Sequence, residues 1–361
     1  LYSHKVNGFI QRGELKLIEN IEDAPLSDTV RSALAKCKKT TNDARSLPPE
    51  VYADPAILPI EIARIFRKHW LCIGRTDRLK NLGDYVTLDF SDQSVIALRD
   101  RSGLRAFANS CRHRNARLLS GDGNISRISC PLHNWTYKLD GDLSGAPHMN
   151  KVASFSKAKC SLRKYHIAER MGFLFICLAD TAPELDAIFR DFRGVHSPWP
   201  IDTLVSKRHQ SFEVSCNWKA FLDIFNEYYH LPVVHPNSLD EIYKAPESAD
   251  FVESGSFATQ FGYTLGRGGL LGQNQQQPLP LMPNLTGRET AGVRYTWLFP
   301  NMTFAAGVDA LWMYEAYPVA VDRCLVRQTA CFPTETVQLM NFDELVTAYY
   351  HRLDVALDED I

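Results

Sequence analysis

Two short cysteine–histidine pairs, Cys111-x-His113 and Cys130-x-x-His133, place the strongest limit on what this 361-residue chain can fold into. Sixteen residues separate the two pairs. Two thiolates and two imidazoles can ligate a 2Fe–2S cluster, with the cysteines on one iron and the histidines on the other. Because neutral imidazoles remove negative charge from such a cluster, they raise its reduction potential. The pattern therefore predicts an electron store for oxygen chemistry.

A structural zinc site is the alternative for these four residues, since two cysteines and two histidines also suit tetrahedral zinc. Zinc fingers usually pair Cys with Cys and His with His, whereas each arm here supplies one of each. The segments Ser110-Cys-Arg-His-Arg-Asn-Ala116 and Ser129-Cys-Pro-Leu-His-Asn-Trp-Thr-Tyr137 resemble the two ligand loops of Rieske proteins. Asn115 and Asn134 stand where glycine is more usual. The flanking residues favour the cluster.

The composition is that of an ordinary globular enzyme. Hydrophobic residues make up 45% of the chain, and 40 basic against 42 acidic residues leave a formal charge of −2, which gives no indication of nucleic-acid binding. No apolar stretch approaches the roughly 20 residues of a membrane-spanning helix, and the N-terminal residues lack the pattern of a secretory signal. Nine cysteines without framework spacing argue against an oxidised, secreted scaffold. A cytoplasmic location is the expectation.

Three regions follow from the hydrophobic patterns. Residues 1–50 are predicted to be an N-terminal helical extension. Residues 51–190 pass from an amphipathic helix over Leu58–Trp70 to short strands, which indicates a small all-β domain that carries both ligand loops. Residues 195–361 mix strands and helices and form the second predicted domain. Predicted strands are Tyr85–Phe90, Ser94–Leu98, Gly172–Leu178, Gln210–Ser215, Val293–Leu298 and Leu311–Tyr317, the last closed by Pro318, and a helical end begins near Thr336.

Glu227, His230 and His235 form a second candidate metal site. A helix is predicted from about residue 218 to 230, on which Glu227 and His230 share a face. Pro232 should end or kink this helix, which lets His235 swing back beside His230. Two histidines and a carboxylate make the facial triad of non-haem Fe(II) oxygenases. Two satisfied polar histidines are the alternative for this pattern.

From about residue 50 onward the chain resembles the catalytic α subunit of Rieske non-haem iron oxygenases, the ring-hydroxylating oxygenase family. The resemblance implies an α+β fold. It consists of a small all-β Rieske domain and a catalytic domain of the helix-grip type, with an antiparallel sheet flanked by helices. Family chains normally continue for several turns, so a missing C-terminal segment is expected. The resemblance rests on the two cluster loops, Leu139-Asp-Gly-Asp-Leu143, Asn217-Trp-Lys219, Glu227-x-x-His230-x4-His235 and Asp358-Glu-Asp360.

The resemblance implies cofactor roles for particular residues. The third ligand of the mononuclear Fe(II) would be Asp360, with Asp358 and Glu359 as competitors. Ile224 stands where many relatives carry an asparagine near the iron, and Asp223 is a candidate substitute in the surroundings of the metal. The implied ligands are Cys111, His113, Cys130 and His133 for the Rieske 2Fe–2S cluster, and His230, His235 and Asp360 for the mononuclear iron.

Glu227 would not ligate the iron but would bridge two subunits. In the family, this carboxylate connects an iron histidine to a cluster histidine of the neighbouring chain, so Glu227 would link His230 to His133 of the adjacent protomer. A carboxylate between two imidazoles fixes their tautomers and shortens the electron path. The resemblance therefore implies a homotrimer.

The implied activity is that of a terminal oxygenase in a multicomponent system. A separate flavin- and iron–sulfur-containing reductase would deliver electrons from NAD(P)H, and O₂ would react at the mononuclear iron. Glutamate at position 227, instead of the commoner aspartate, resembles the branch that acts on carnitine and glycine betaine. Hydroxylation or N-demethylation of a small quaternary amine is therefore favoured. Hydroxylation or cis-dihydroxylation of an aromatic acid is the alternative, and a non-catalytic Rieske electron carrier is the third hypothesis.

Substrate choice is expected between His235 and the C-terminal helix. Aromatic residues in this part suit a cage for a quaternary ammonium group, although alternating aromatics on strands usually belong to the core. Trp312 and Tyr314 share a strand face, whereas Tyr317 points the other way. The Gly- and Gln-rich loop 266–288 is predicted to be a mobile entrance lid. The aromatic candidates are Tyr295, Trp297, Phe304, Trp312, Tyr314 and Tyr317.

Overall fold

The computed structural model describes residues 26–37, 43, 45–240, 242–247, 256–264 and 277–361. Most of the predicted N-terminal extension lies outside these residues, and so does the part 266–276 of the predicted lid loop. Among the described helices, none combines the length and the apolar character that crossing a membrane requires. The α-helices are α1 (Asp28–Cys37), α2 (Pro49–Ala53), α3 (Ile57–Glu61, continued by a π-helical turn, Ile62–Phe66), α4 (Leu185–His196), α5 (Trp218–Phe225), α6 (Leu231–Val234), α7 (Thr334–Val337) and α8 (Phe342–Asp360).

Ten strands form the N-terminal lobe. They are β1 (Leu71–Arg75), β2 (Asp84–Phe90), β3 (Gln93–Asp100), β4 (Gly103–Ala108), β5 (Asp122–Asn124), β6 (Ile128–Ser129), β7 (Thr136–Tyr137), β8 (Leu143–Gly145), β9 (Lys164–Arg170) and β10 (Phe173–Cys177). Seven of them pair antiparallel in the order β1–β10–β9–β4–β3–β2–β5, and β6–β7–β8 form a small second sheet. This arrangement confirms the all-β lobe, and the two predicted ligand loops follow β4 and β6.

Seven strands form the sheet of the C-terminal lobe. They are β11 (Val205–Val214), β12 (Tyr243–Pro246), β13 (Phe257–Thr264), β14 (Gly292–Leu298), β15 (Met302–Ala306), β16 (Leu311–Ala320) and β17 (Arg323–Phe332). They pair antiparallel in the order β11–β17–β16–β15–β14–β13–β12. Strand β16 runs past Pro318, where it was predicted to end, because the irregularity that accommodates the proline lies between Pro318 and Ala320, beside the turn to β17.

Helix α8 covers one face of this sheet. Alternate residues of β16 point to opposite faces, so Trp312 and Tyr314 belong to the core under α5 and α8, whereas Leu311 and Met313 belong to the core on the other side. The rings of Tyr349, on α8, and Trp312 lie 6.2 Å apart. This packing brings the end of α8 next to α6. The predicted α+β class, with an antiparallel sheet flanked by helices, is confirmed.

Helix α4 joins the two lobes and is not a free linker. The predicted division at residues 190–195 falls inside this helix. Phe189 lies 5.5 Å from Phe175 of the N-terminal lobe, and Phe192 lies 5.9 Å from Phe304 of the C-terminal lobe. The lobes therefore share a continuous apolar core.

Candidate metal centres

The two ligand loops of the N-terminal lobe have the same backbone geometry. In each loop, the cysteine carbonyl accepts a hydrogen bond from the residue four positions on, and the cysteine N–H donates to the carbonyl five positions on. The repeat means that both loops share one backbone frame around the cysteine, although the histidine lies two residues after the cysteine in the first loop and three after it in the second. The bonds are Asn115 N to Cys111 O (2.9 Å), Cys111 N to Ala116 O (2.8 Å), Asn134 N to Cys130 O (3.0 Å) and Cys130 N to Trp135 O (2.8 Å).

Asn115 and Asn134 close these loops in the left-handed backbone region. Each has a φ of 54°. Glycine enters this region without steric cost, and asparagine is one of the few other residues that does so readily. Asparagine can therefore occupy the positions where Rieske loops more often carry glycine without changing the shape of the loop.

The histidines of the two loops face each other. The rings of His113 and His133 lie 4.7 Å apart, and His113 stacks on Trp135 at 4.9 Å with an interplanar angle of 11°. Nδ1 of His113 is buried and has no hydrogen-bond partner among the described residues. Burial and the neighbouring His133 lower the pKa of His113, which favours the neutral, ligating form. An orphaned ring nitrogen beside a second imidazole fits a metal-cluster ligand.

The cysteine sulfurs lie in a buried environment with several hydrogen-bond donors. Burial opposes ionisation of Cys130, but donors from the backbone of His133 and Leu132, and from Cys111, lower the pKa of its thiol. The hydroxyl oxygen of Tyr137 accepts a bond from the N–H of Arg112 (3.0 Å) and lies 3.3 Å from Sγ of Cys111. Since that oxygen already accepts a bond, its own hydrogen is available to the sulfur. This donor set fits a thiolate-ligated cluster.

The chain around the second candidate centre is not one continuous helix. The predicted helix over residues 218–230 is wrong beyond Phe225, because Asn226 ends it. The amide of Asn226 donates to the carbonyl of Leu222 (2.7 Å) and to the hydroxyl of Thr303 on β15 (2.9 Å). Pro232 then lies in the first turn of α6. The helix thus breaks before His230, and a new short helix follows. His230 and His235 lie side by side, as predicted, with ring centroids 5.2 Å apart.

His230, His235 and Asp360 meet at the junction of α6 and α8. Each offers one ligand atom, and these atoms lie within 4.8 Å of one another. Oδ1 of Asp360 is 3.0 Å from Nε2 of His235 and 3.8 Å from Nε2 of His230. Metal–ligand bonds of about 2 Å place neighbouring donors about 3 Å apart. The donor set and spacing therefore fit a single ion with two imidazoles and one carboxylate.

Glu359 supports this group from behind. Its carboxylate lies 2.7 Å from Nδ1 of His235 and also accepts a hydrogen bond from the hydroxyl of Ser238. A carboxylate on the outer nitrogen fixes the tautomer of a ligating histidine and leaves Nε2 for the metal. The geometry separates Glu359 from Asp360, which were competitors in the sequence, because only Asp360 of the two faces both histidines.

Glu227 has the same relation to His230. Its Oε1 lies 2.5 Å from Nδ1 of His230, and its side chain is 40% exposed. Its other oxygen accepts hydrogen bonds from the N–H groups of Tyr229 and His230. The predicted contact with His230 is present, and the exposed side of the carboxylate faces outward.

Asp223, a candidate for the surroundings of the iron, points elsewhere. Its carboxylate accepts a hydrogen bond of 2.5 Å from the hydroxyl of Tyr52, in a buried group that includes Lys219. Ile224 lines the cavity beside the histidines. One residue is a rotation of about 100° on a helix, so Asp223 and Ile224 cannot both face the metal. The apolar Ile224 occupies the cavity side, and Asp223 does not line the cavity.

A cavity of about 60 Å³ adjoins the two histidines and Asp360. Its walls come from α5, α6, β14, β16 and α8 and are largely aromatic and aliphatic. Of the aromatic candidates, Tyr295, Trp312 and Tyr314 line it. Tyr317 points the other way, as strand alternation predicted, and its hydroxyl donates to the carbonyl of Cys72 in the N-terminal lobe (2.6 Å). Trp297 and Phe304 are absent from the described lining of this cavity.

Two residues beside these candidate centres were not singled out in the sequence. Tyr137 was part of the second loop motif but had no assigned role. Arg352, on α8, also lines the cavity and was not singled out. Arg352 precedes Asp360 by eight residues, and residues at i, i+4 and i+8 lie along one side of a helix. This spacing could have indicated that both residues face the same cavity.

Comparison with known proteins identifies both lobes. Residues 69–156 match the Rieske 2Fe–2S domain, and residues 201–361 match the catalytic domain of the ring-hydroxylating alpha subunit. The fold therefore combines a lobe with a donor set for a 2Fe–2S cluster and a lobe with a donor set for a single metal ion. The chain belongs to the Rieske non-haem iron oxygenases.

Among the relatives are oxygenase subunits of carnitine and glycine betaine monooxygenases. The chain is 29% identical over 301 residues to the carnitine monooxygenase oxygenase subunit of Acinetobacter baumannii, which covers 81% of this chain and 77% of that one. It is 30% identical over 230 residues to the glycine betaine monooxygenase oxygenase subunit of Chromohalobacter salexigens, which covers 63% of this chain. The chain spans about half the length of that second relative, 51%. A crystal structure of a quaternary ammonium Rieske monooxygenase with γ-butyrobetaine superposes with a TM-score of 0.71 at 25% identity, covering 88% of this chain and 82% of that one.

Proposed function

We propose that this chain is the terminal oxygenase of a multicomponent system that hydroxylates or N-demethylates a small quaternary amine of the betaine type. The observation that carries the proposal is the group of His230, His235 and Asp360 at the wall of a small, mostly apolar cavity. The relatives that act on carnitine and glycine betaine support the substrate class.

The four Rieske residues, Cys111, His113, Cys130 and His133, would hold the 2Fe–2S cluster, and His230, His235 and Asp360 would hold Fe(II). The cluster supplies single electrons, and the iron supplies activation of O₂. The chain's own contribution is to keep the imidazoles in one tautomer and to place the substrate in a cavity that excludes bulk water. Glu227 and Glu359 perform the first task, each on the outer nitrogen of one iron histidine.

Glu227 is also suited to the predicted bridge between subunits. Its carboxylate is part-exposed beside His230. At the other centre, His133 is exposed on the surface of the N-terminal lobe, and the neighbouring Leu132 is 64% exposed. Contact between these surfaces in a homotrimer would join the two imidazoles through one carboxylate. A flavin- and iron–sulfur-containing reductase, supplied with NAD(P)H, is the proposed electron donor. The cytoplasmic location and the domain limits at residues 50 and 190–195 remain predictions.

The reaction has a defined balance. Oxidation of an N-methyl group inserts one oxygen atom into a C–H bond, and the other oxygen leaves as water after uptake of two electrons and two protons. The N-hydroxymethyl product releases formaldehyde and a proton and leaves a tertiary amine. A substrate panel incubated with the reductase under ¹⁸O₂ therefore gives formaldehyde, whose oxygen exchanges with water, or a singly labelled alcohol from a betaine. Labelled phenol or cis-diol from an aromatic acid would instead establish the alternative substrate class.

The variant His230→Ala separates an oxygenase from an electron carrier. We expect it to keep the visible absorption of the cluster and to lose labelled product. His351→Ala, an exposed histidine on α8 that does not line the cavity, is the matched control and should keep activity. Unchanged turnover in His230→Ala would contradict the proposed function.

A further inference from the structure

Arg352 is buried in the wall of the same cavity that adjoins the metal site. Its relative exposure is 2%, and it lines the cavity together with Ala356 and Asp360, the residues four and eight positions on along α8. Eight residues of α-helix rise by about 12 Å. Helix α8 therefore presents a cation and the metal-binding carboxylate to one cavity, two helical turns apart.

The guanidinium of Arg352 has aromatic neighbours and few hydrogen bonds. Nη2 donates to the hydroxyl of Tyr243. The guanidinium carbon lies 4.2 Å from the ring centroid of Trp312 and 5.4 Å from that of Tyr243. Nε and Nη1 are buried and have no hydrogen-bond partner within the part of the chain that the structure describes. An arginine carries five N–H donors, and the single hydrogen bond to Tyr243 uses only one of them.

A second buried cation shows what a structural role looks like in this protein. Lys219, on α5, is 5% exposed, and its Nζ lies 2.7 Å from a carboxylate oxygen of Glu61. The buried charge of Lys219 is balanced by a carboxylate, as buried charges usually are. Arg352 has no such partner among the described residues, although it cannot lose its proton. Its balancing anion must then come from a bound molecule or from outside the described residues.

A carboxylate is the anion that best fits this position. A guanidinium binds a carboxylate through two parallel N–H···O bonds, and such bonds are strong in a site of low dielectric constant. The cavity is too small for a large ligand, and phosphate-binding features such as a glycine-rich loop do not occur around it in the described residues. The cation on Trp312 also occupies a ring face that a substrate ammonium group would otherwise use.

We propose that Arg352 is the specificity-determining residue that binds the carboxylate of the substrate, so that the substrate class is a small carboxylic acid and not an amine or alcohol without an acid group. This inference rests on the proposed function, since it deepens the description of the same cavity. The carboxylate end lies at Arg352, and like-charge repulsion directs the ammonium end of a betaine away from the guanidinium, toward His230 and Asp360. Helix α8 thus orients the reacting group toward the metal site.

The test compares ligands that differ in the carboxylate alone. Glycine betaine and choline share a trimethylammonium group, whereas benzoate and benzamide share a ring. Binding of each to the oxidised wild-type protein is measured by titration calorimetry, which needs no turnover. We expect each acid to bind about 100-fold more tightly than the other ligand of its pair, which lacks the carboxylate. A desolvated charge pair contributes to the binding free energy on this scale. Equal binding of acid and counterpart in both pairs would overturn the proposal, and this arm does not depend on the folding of a variant.

Two variants then assign the effect to the side chain. Arg352→Gln should lose the preference for the acid, with KM for the acid raised about 100-fold and KM for choline unchanged or lowered, and Arg352→Lys should recover part of it. Arg208→Gln is the matched control, because Arg208 also anchors α8, through Asp354 at 2.5 Å, but does not line the cavity. An equal loss for acid and alcohol in Arg352→Gln would indicate a structural role and would overturn the proposal.

The same experiment separates this inference from the proposed function. Tight binding of benzoate but not of glycine betaine would support Arg352 as the carboxylate site and reject the quaternary-amine substrate class. Turnover of choline with no preference for acids would support an amine oxygenase and reject the role of Arg352. Tight, Arg352-dependent binding of glycine betaine supports both.

Discussion

The two candidate metal centres are built in different ways. The cluster residues come from two neighbouring loops of the N-terminal lobe, and each loop is closed by its own backbone hydrogen bonds. The iron residues come from a broken helix and from the C-terminal helix, so that His235 and Asp360 are 125 residues apart in the chain. The first centre depends on local conformation, whereas the second depends on the packing of α8 against the sheet. Changes at α8 should therefore affect one centre and spare the other.

The largest expected effect separates the three acidic residues at the end of α8. Asp360→Ala should lower bound iron and turnover by more than about 100-fold, because it removes a ligand, while Glu359→Gln should cost about 10- to 100-fold in metal affinity, as support of a ligating histidine does. Asp358→Asn, at an exposed position, is the control. Iron content by mass spectrometry and cluster absorption measure the two centres independently. Loss of iron in Glu359→Gln but not in Asp360→Ala would reverse the assignment of ligand and support.

The difference between a locally built centre and one built by packing also explains how much of each could be predicted from the sequence. The cysteine and histidine loops could be predicted because the signal and the structure are both local. The triad could be predicted as a set, but the path of the chain could not. Helix α5 ends at Asn226 because its amide reaches Thr303 on β15, a contact that no local pattern contains.

Asp223 and Arg352 show that side-chain direction and burial could not be predicted from the sequence. A polar residue near the iron was expected, and Asp223 was the available one, but a rotation of one residue directs it to Tyr52. Arg352 lies in a stretch of mixed polar and apolar residues that resembles an ordinary helix surface. Burial of its guanidinium follows from the docking of α8 on Trp312, which is a property of the tertiary fold.

A second prediction concerns a buried carboxyl group at the boundary of the lobes. It gives the pH dependence of stability and tests whether the two lobes unfold together. Glu315, on β16, is 1% exposed beside the boundary of the lobes. Burial raises its pKa to about 7, although Arg327 and the hydroxyl of Tyr317 act in the opposite direction. The native state thus binds this proton more tightly than the unfolded chain, and stability should be lost as pH rises from about 4.5 to 7. A shift of this size corresponds to about 3 kcal/mol at most.

Urea unfolding at pH 5.5 and pH 8 measures this effect. Glu315→Gln should reduce the loss of free energy of unfolding between the two pH values, whereas Glu335→Gln, an exposed residue at the start of α7, should not change it. Following the cluster absorption and tryptophan fluorescence separately shows whether both lobes unfold together, as their shared core implies. Identical pH dependence in wild type and Glu315→Gln would show that Glu315 is not the titrating group.

A smaller effect is expected at the cluster. Tyr137→Phe removes the hydroxyl that lies 3.3 Å from Sγ of Cys111. A hydrogen bond to a thiolate stabilises the reduced cluster, which carries one more negative charge, so its loss should lower the reduction potential. One hydrogen bond of about 1 kcal/mol corresponds to about 40 mV for a one-electron couple. Redox titration followed by circular dichroism measures the shift, and iron content at the second centre should not change. A raised potential would contradict the donor role of Tyr137.

The smallest effects are expected at the two asparagines that close the cluster loops. Asn115→Gly and Asn134→Gly should change the free energy of unfolding by less than about 1 kcal/mol each, because asparagine already adopts the left-handed conformation and glycine increases the freedom of the unfolded chain. Asn115→Val and Asn134→Val should cost more, about 1–2 kcal/mol each, since a branched side chain is strained at a φ of 54°. Equal stability of the glycine and valine variants would mean that the loops can change conformation. In that case the cluster geometry depends on the bound metal more than on the local backbone, and the contrast between the two centres becomes smaller.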